Sequence, residues 1–140
     1  MPPRCTARKD HCDMKALLLV IAGGGVGAGL RHMLGHALSG PAAATGWPWG
    51  TFAANILGGL AMGFLVGWLT EKGQASGDLR LLIGVGLLGG FTTFSAFSLD
   101  MAVMIERGQG AVAFGYAAAS VLLALGALFA GLWLSRGALA

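Results

Sequence analysis

Apolar residues gather into four long runs, separated by short stretches that are polar or carry glycine and proline. The first, with its core at Ala16 to Leu30, predicts a helix over about Lys15 to Leu38, with Arg31, His32 and His36 toward its end. The second predicts a helix over about Gly50 to Thr70, with Asn55 as its one strong polar group and Trp68 at its far end. The third runs from about Leu79 to Ile105. The fourth runs from about Gln109 to Leu134, with Tyr116 and Ser120 early and Trp133 late. About 20 residues cross the hydrocarbon of a bilayer, so each run is a candidate span and four spans nearly exhaust the chain. Trp47 and Trp49, beside Pro48, suit a membrane–water interface. The pattern predicts an all-α membrane protein with four transmembrane helices. Residues 1–14 read as a disordered N-terminal extension, 15–136 as the transmembrane domain and 137–140 as a tail.

The third run is interrupted at its centre. Gly89-Gly90-Phe91-Thr92-Thr93-Phe94-Ser95-Ala96-Phe97-Ser98 holds two glycines, two threonines and two serines in ten residues. An unsatisfied backbone polar group costs several kcal/mol in hydrocarbon, so irregular backbone at membrane depth survives only where protein or water covers it. A helix broken near Gly89 to Thr93 is therefore a candidate ion or substrate site. Phe94 and Phe97 share a face if the helix resumes after the break. An aromatic ring has a negative face and a positive edge, so ring edges can attract an anion without a formal charge. Asn55 can donate from the second helix, and Tyr116 and Ser120 lie on one face of the fourth at i and i+4. The break also exposes carbonyls suited to a hard cation such as sodium, and amides suited to anions. The residues alone leave both open.

Charge sharpens this picture. Only 11% of residues are charged, against about 25% in soluble domains. The 25 glycines fit closely packed membrane helices, with Gly23 and Gly27, and Gly59 and Gly63, at small-x-x-x-small spacing. Basic residues lie in flanks and loops with no aromatic interleaving, so no nucleic-acid surface is expected. Seven of them fall on the side of the termini and two, Arg31 and Arg107, on the other, which favours an inside N-terminus. Without the tail before Met14 the split is four against two, weak enough to allow both orientations. Arg31 can snorkel to the interface and attract anions there, or serve equally as a plain interfacial anchor. Asp100 and Glu106 can cap, pair with Arg31 or Arg107, or face water. No nucleophile–base arrangement suggests an enzyme, and no pair of membrane-buried acids suggests a proton-driven carrier. His32 and His36 lack a partner for a metal site, and Cys5 and Cys12 read as free thiols, a disulfide between them requiring an oxidising side. Four thin helices enclose little polar space, so an oligomer, most simply a dimer, is the economical pore wall.

Over Met14 to Arg136 the chain resembles the small bacterial fluoride channels of the CrcB or Fluc family. The resemblance rests on Gly24-Gly25-Val26-Gly27-Ala28 followed by Arg31, on Gly50-Thr51 followed by Asn55 and Gly58, and above all on the Gly89 to Ser98 motif. It implies a multi-pass protein of the bacterial cytoplasmic (inner) membrane: an antiparallel, dual-topology homodimer with two pores for passive, selective fluoride export. It implies pore positions at Phe94, Phe97, Asn55, Tyr116 and Ser120, with Thr51 and Ser95 as further participants, and Arg31 at the entrance. It also implies a structural sodium ion held by the backbone carbonyls of Gly89 and Thr92. One departure is Ala124, one turn beyond Ser120, where relatives often carry a hydroxyl. The contrasting expectations are a small dual-topology multidrug-type carrier, which lacks an expected acid in the first helix, and a non-conducting membrane assembly protein, which leaves the clustered polar residues unexplained.

Overall fold

The computed structural model describes residues 6–40, 45–71 and 77–137, with the backbone alone for 6–13 and Glu71. Helix α1 spans Thr6–Ala37 and α2 spans Trp49–Glu71. The third span is assembled from pieces: α3 (Gly77–Leu79), a π-helical segment (Arg80–Leu88), α4 (Gly89–Phe91) and α5 (Phe94–Glu106). Helix α6 spans Gly110–Gly137. Met14–Ala37, Trp49–Thr70, Gly77–Glu106 and Gly110–Gly137 are each long and apolar enough to cross a membrane.

Helix α1 starts earlier than expected, because residues 6–13 are helical where the sequence reading expects disorder. No glycine or proline lies between Thr6 and Asp13, and Pro2 and Pro3 both precede them. A hydrogen-bond ladder already nucleated in α1 therefore propagates outward at little cost. Cys5 lies outside the described residues, and so does the side chain of Cys12.

The break in the third span is narrower than the glycines suggest. Gly89 stays helical at φ −65°, ψ −35°. The extended residues are Thr92 (φ −83°, ψ 152°) and Thr93 (φ −152°, ψ 128°). β-Branched threonine tolerates extended backbone well, and its hydroxyl caps a following helix. Thr93 does this for α5, its Oγ1 accepting from the Ala96 N–H at 3.3 Å. Upstream, the Gly89 N–H reaches back to Gly84 O, the i→i−5 bond of a π-helix, a form that recurs at functional sites.

The break also changes partners. The π segment and α4 lie against α1, whereas α5 lies against α6, and α2 packs along most of α6. Small residues make these contacts possible. A Cβ at Gly27 would stand 2.8 Å from Phe91 N, and one at Gly59 would stand 2.6 Å from Ala124 O. Both obstacles are backbone, so neither can swing aside. Gly27→Val is therefore expected to destabilise the fold by about 3 kcal/mol or more, the upper range for overpacking. Loss of the monodisperse assembly peak in detergent checks this.

The ends are tied. Lys15 pairs with Asp78, joining α1 to the start of the third span. At the other end α5 closes with a Schellman motif: Gly108 is left-handed at φ 75°, and the Gln109 N–H bonds Met104 O at 2.9 Å.

Candidate functional site

The extended pair Thr92–Thr93 redirects four backbone groups. The Thr93 N–H donates to Asn55 Oδ1 at 3.1 Å, and Asn55 Nδ2 donates to Thr93 O at 3.5 Å. In an unbroken helix the Thr93 N–H would bond Gly89 O, and the Ala96 N–H would bond Thr92 O. Those donors go instead to Asn55 and to the Thr93 hydroxyl. The carbonyls of Gly89 and Thr92 thus lose their helical donors. Both residues border the same open groove of about 620 Å³.

Asn55, Thr93, Phe94, Phe97 and Ser120 also line this groove, and Ala124, Leu125 and Leu128 continue it as an apolar wall. The Phe94 and Phe97 ring centroids lie 5.5 Å apart, tilted by 36°. Phe94 is 78% exposed, so the groove is open on that side. Ser120 is buried. Its Oγ comes near enough to Tyr116 to interact, but no group meets hydrogen-bond geometry with it. A buried hydroxyl without a partner, bordering a groove, is available to a ligand. Ser95 is exposed at the start of α5, its Oγ 3.0 Å from Thr93 Oγ1.

Two residues expected beside these stand elsewhere. Tyr116 is fully buried behind the groove, stacked on Phe97 at 5.3 Å. Its hydroxyl donates to Asp100 Oδ2 at 3.4 Å, so its proton is engaged. Thr51 lines a second cavity of about 510 Å³ with Arg31, His32 and His36. Its hydroxyl also reaches Asp100. Thr51, Asp100 and Tyr116 thereby form a polar bridge from the Arg31 cavity to the ring stacked on Phe97.

Asp100 is the residue the sequence reading placed least well. It neither pairs with Arg31 nor caps a helix end; it accepts from the Tyr116 hydroxyl of α6 and lies near Thr51 of α2. The available signal was an acid several residues inside an apolar span, which by itself marks a functional position. Arg31 instead donates from Nε to Gly90 O at 3.3 Å. That bond fixes the guanidinium stem against the residue beside Gly89, at the inner wall of the second cavity. Trp47 likewise does more than sit at an interface. Its ring meets Tyr116 edge-on at 5.4 Å and closes the aromatic cluster from above.

Residues 18–132 match the family described as CrcB-like protein, Camphor Resistance (CrcB). The fluoride-specific ion channel FluC of Phenylobacterium zucineum (strain HLK1) is 59% identical over 127 residues, covering 88% of this chain and 97% of that protein. The protein of the same name from Chelativorans sp. (strain BNC1) is 52% identical over 126 residues, covering 90% and 100%. The one from Caulobacter vibrioides (strain NA1000 / CB15N) is 51% identical over 127 residues, covering 88% and 97%. With a family match over most of its length and relatives more than half identical over 88–90% of it, the chain belongs to the CrcB family of membrane proteins.

Proposed function

We propose that this chain is a passive fluoride-selective channel of the bacterial cytoplasmic membrane. It exports fluoride and so limits its toxicity, working as an antiparallel homodimer with two pores. The observation that carries the reading is the groove at the break: aromatic rings and neutral donors at membrane depth, with no formal charge on its walls. Fluoride is small and holds its water tightly, so a route for it must replace that water with many directed donors. Ring edges of Phe94 and Phe97, the Asn55 amide and the free Ser120 hydroxyl are of that kind. Among the described residues no charged side chain lines the groove, so the anion meets only neutral contacts, weak enough to release it as conduction requires. Arg31, at the second cavity, draws anions toward the mouth, and Thr51, Asp100 and Tyr116 connect mouth to groove.

The dimer follows from what one subunit leaves bare. Phe94 would otherwise stand bare toward lipid, and the groove that Asn55, Thr93 and Ser120 border would open into hydrocarbon. A second copy covers them and completes the wall.

The carbonyls of Gly89 and Thr92 suit a structural sodium ion, because the break deprives both of their helical donors and a hard cation prefers oxygen ligands. Such an ion supplies positive charge where two broken helices meet. Gly89 and Thr92 hold it, while Asn55 keeps the break open by occupying the Thr93 N–H.

Ala124 leaves the groove without a hydroxyl one turn beyond Ser120. Ala124→Ser is expected to raise fluoride flux by about two- to fivefold, the worth of one added hydrogen bond of about 0.5–1 kcal/mol. Parallel efflux traces of the two proteins check this. The reading as a whole is tested with purified protein in liposomes. Fluoride should leave far faster than chloride, without a proton gradient. Equal permeation of the two halides, or transport that needs the gradient, overturns it.

A further inference from the structure

The second cavity is lined by more basic side chains than Arg31 alone. Arg31, His32 and His36 all line it, with Ala28, Thr51 and the closely approaching Gly35 and Gly50 forming the rest of its wall. His32 and His36 are one helical turn apart and both exposed, so water reaches them. Arg31 is held at the inner wall by its bond to Gly90 O. Among the described residues no acid lines the cavity. Imidazole is the side chain whose charge ordinarily changes between about pH 5 and 8.

We propose that Arg31, His32 and His36 form an anion-gathering vestibule whose charge grows as the two imidazoles protonate, so that fluoride flux through this chain rises below neutral pH. This inference rests on the channel reading above and assigns a role to two histidines that the pore itself does not use. Chemically it suits the cargo: fluoride crosses bare lipid as neutral hydrogen fluoride, and does so faster as the medium acidifies. Demand for export and vestibule charge then increase together.

The groups facing the vestibule can be named. From α1 they are Arg31, His32 and His36. From α2 only Gly50 and Thr51 face it, neither titratable. From α5, Asp100 approaches behind Thr51, and Glu106 and Arg107 lie exposed at the same end of the bundle. Residues 41–44 are Pro41 and three alanines, with nothing to titrate. The histidines and the carboxylates are the groups to separate.

Two added unit charges about 8 Å from an anion in water raise its local concentration about threefold at about 20 mM salt, and by only about 1.3-fold at about 0.5 M. The experiment is fluoride efflux from liposomes carrying the full chain, at pH 8 and pH 5.5, at both salt concentrations. Leak from protein-free vesicles is subtracted to remove passage of hydrogen fluoride. Wild type should run about threefold faster at the lower pH in low salt, with the step nearly gone in high salt. His32→Gln with His36→Gln should be slow at both pH values. His32→Arg with His36→Arg should be fast at both, and it carries the test if the glutamine variant fails to assemble. A flat wild-type profile overturns the inference. So does an acid step that persists in either double variant, which would assign it to Asp100 or Glu106. Flat but fluoride-selective flux sinks the vestibule alone, whereas no selective flux at either pH sinks the channel reading and the vestibule with it.

Discussion

Replacing Phe97 with isoleucine is expected to lower fluoride flux at least about tenfold while the protein still assembles. Phe97 is the middle ring of a series, 5.5 Å from Phe94 toward the groove and 5.3 Å from Tyr116 toward the mouth. Isoleucine restores most of the apolar volume but has no quadrupole, so it fills space without presenting a positive edge. A tenfold fall corresponds to about 1.4 kcal/mol in the barrier, within reach of one aromatic contact in a water-poor groove. Phe94→Ile should act as strongly and disturb the subunit less. At 78% exposure Phe94 holds little of the subunit's own core, so its loss creates almost no cavity there. Comparing the two separates packing from permeation. If flux tracks assembly, the rings are structural; if both variants assemble and conduct poorly, the ring edges act on the ion. Wild-type flux in both would remove the aromatic argument. Size-exclusion profiles alongside efflux traces provide both readouts.

Much of this arrangement was legible because it depends on local pattern. Apolar run length set the four spans, and the second was expected over Gly50 to Thr70 against an observed span of Trp49–Thr70. Clustered glycine and hydroxyl residues marked the break, and the groove does gather Asn55, Phe94, Phe97 and Ser120. Other features were illegible for physical reasons. Apolar periodicity does not separate a π-helix from an α-helix when the whole segment is hydrophobic, so Arg80–Leu88 read as ordinary helix. The glycines drew attention to themselves as breakers, but Gly90 lies against Gly24 and serves close approach, while the threonines take the extended backbone. Asp100 needed three elements in register. Thr51 from α2 and Tyr116 from α6 meet a carboxylate on α5, a convergence that no spacing within one segment encodes. The same holds for Arg31, whose bond to Gly90 O joins residues 59 apart.

Asn55→Asp is expected to reduce fluoride flux by about a hundredfold at neutral pH, the largest effect of a change that leaves side-chain size untouched. Asn55 has two duties that this substitution separates. Its Oδ1 accepts the Thr93 N–H at 3.1 Å and holds the break open, a task a carboxylate performs equally well. Its Nδ2 donates to Thr93 O at 3.5 Å and offers a positive edge to the groove, and there a carboxylate places negative charge instead. A unit charge about 5 Å from the ion's path, at an effective dielectric constant of about 20, adds about 3 kcal/mol of repulsion, or roughly two orders of magnitude in rate. The sign with pH follows. The aspartate is neutral below its own pKa, so flux should recover on acidification and fall again as pH rises through that value. Asn55→Ala behaves differently. It leaves the Thr93 N–H without its acceptor, at about 1–3 kcal/mol, so it should weaken assembly at every pH and show no acid recovery. Efflux measured across pH, with infrared detection of the carboxylate band in the aspartate variant, distinguishes the two duties. Normal flux while that band reports an ionised group would place the anion's path away from Asn55 and leave this residue the cap of a broken helix alone.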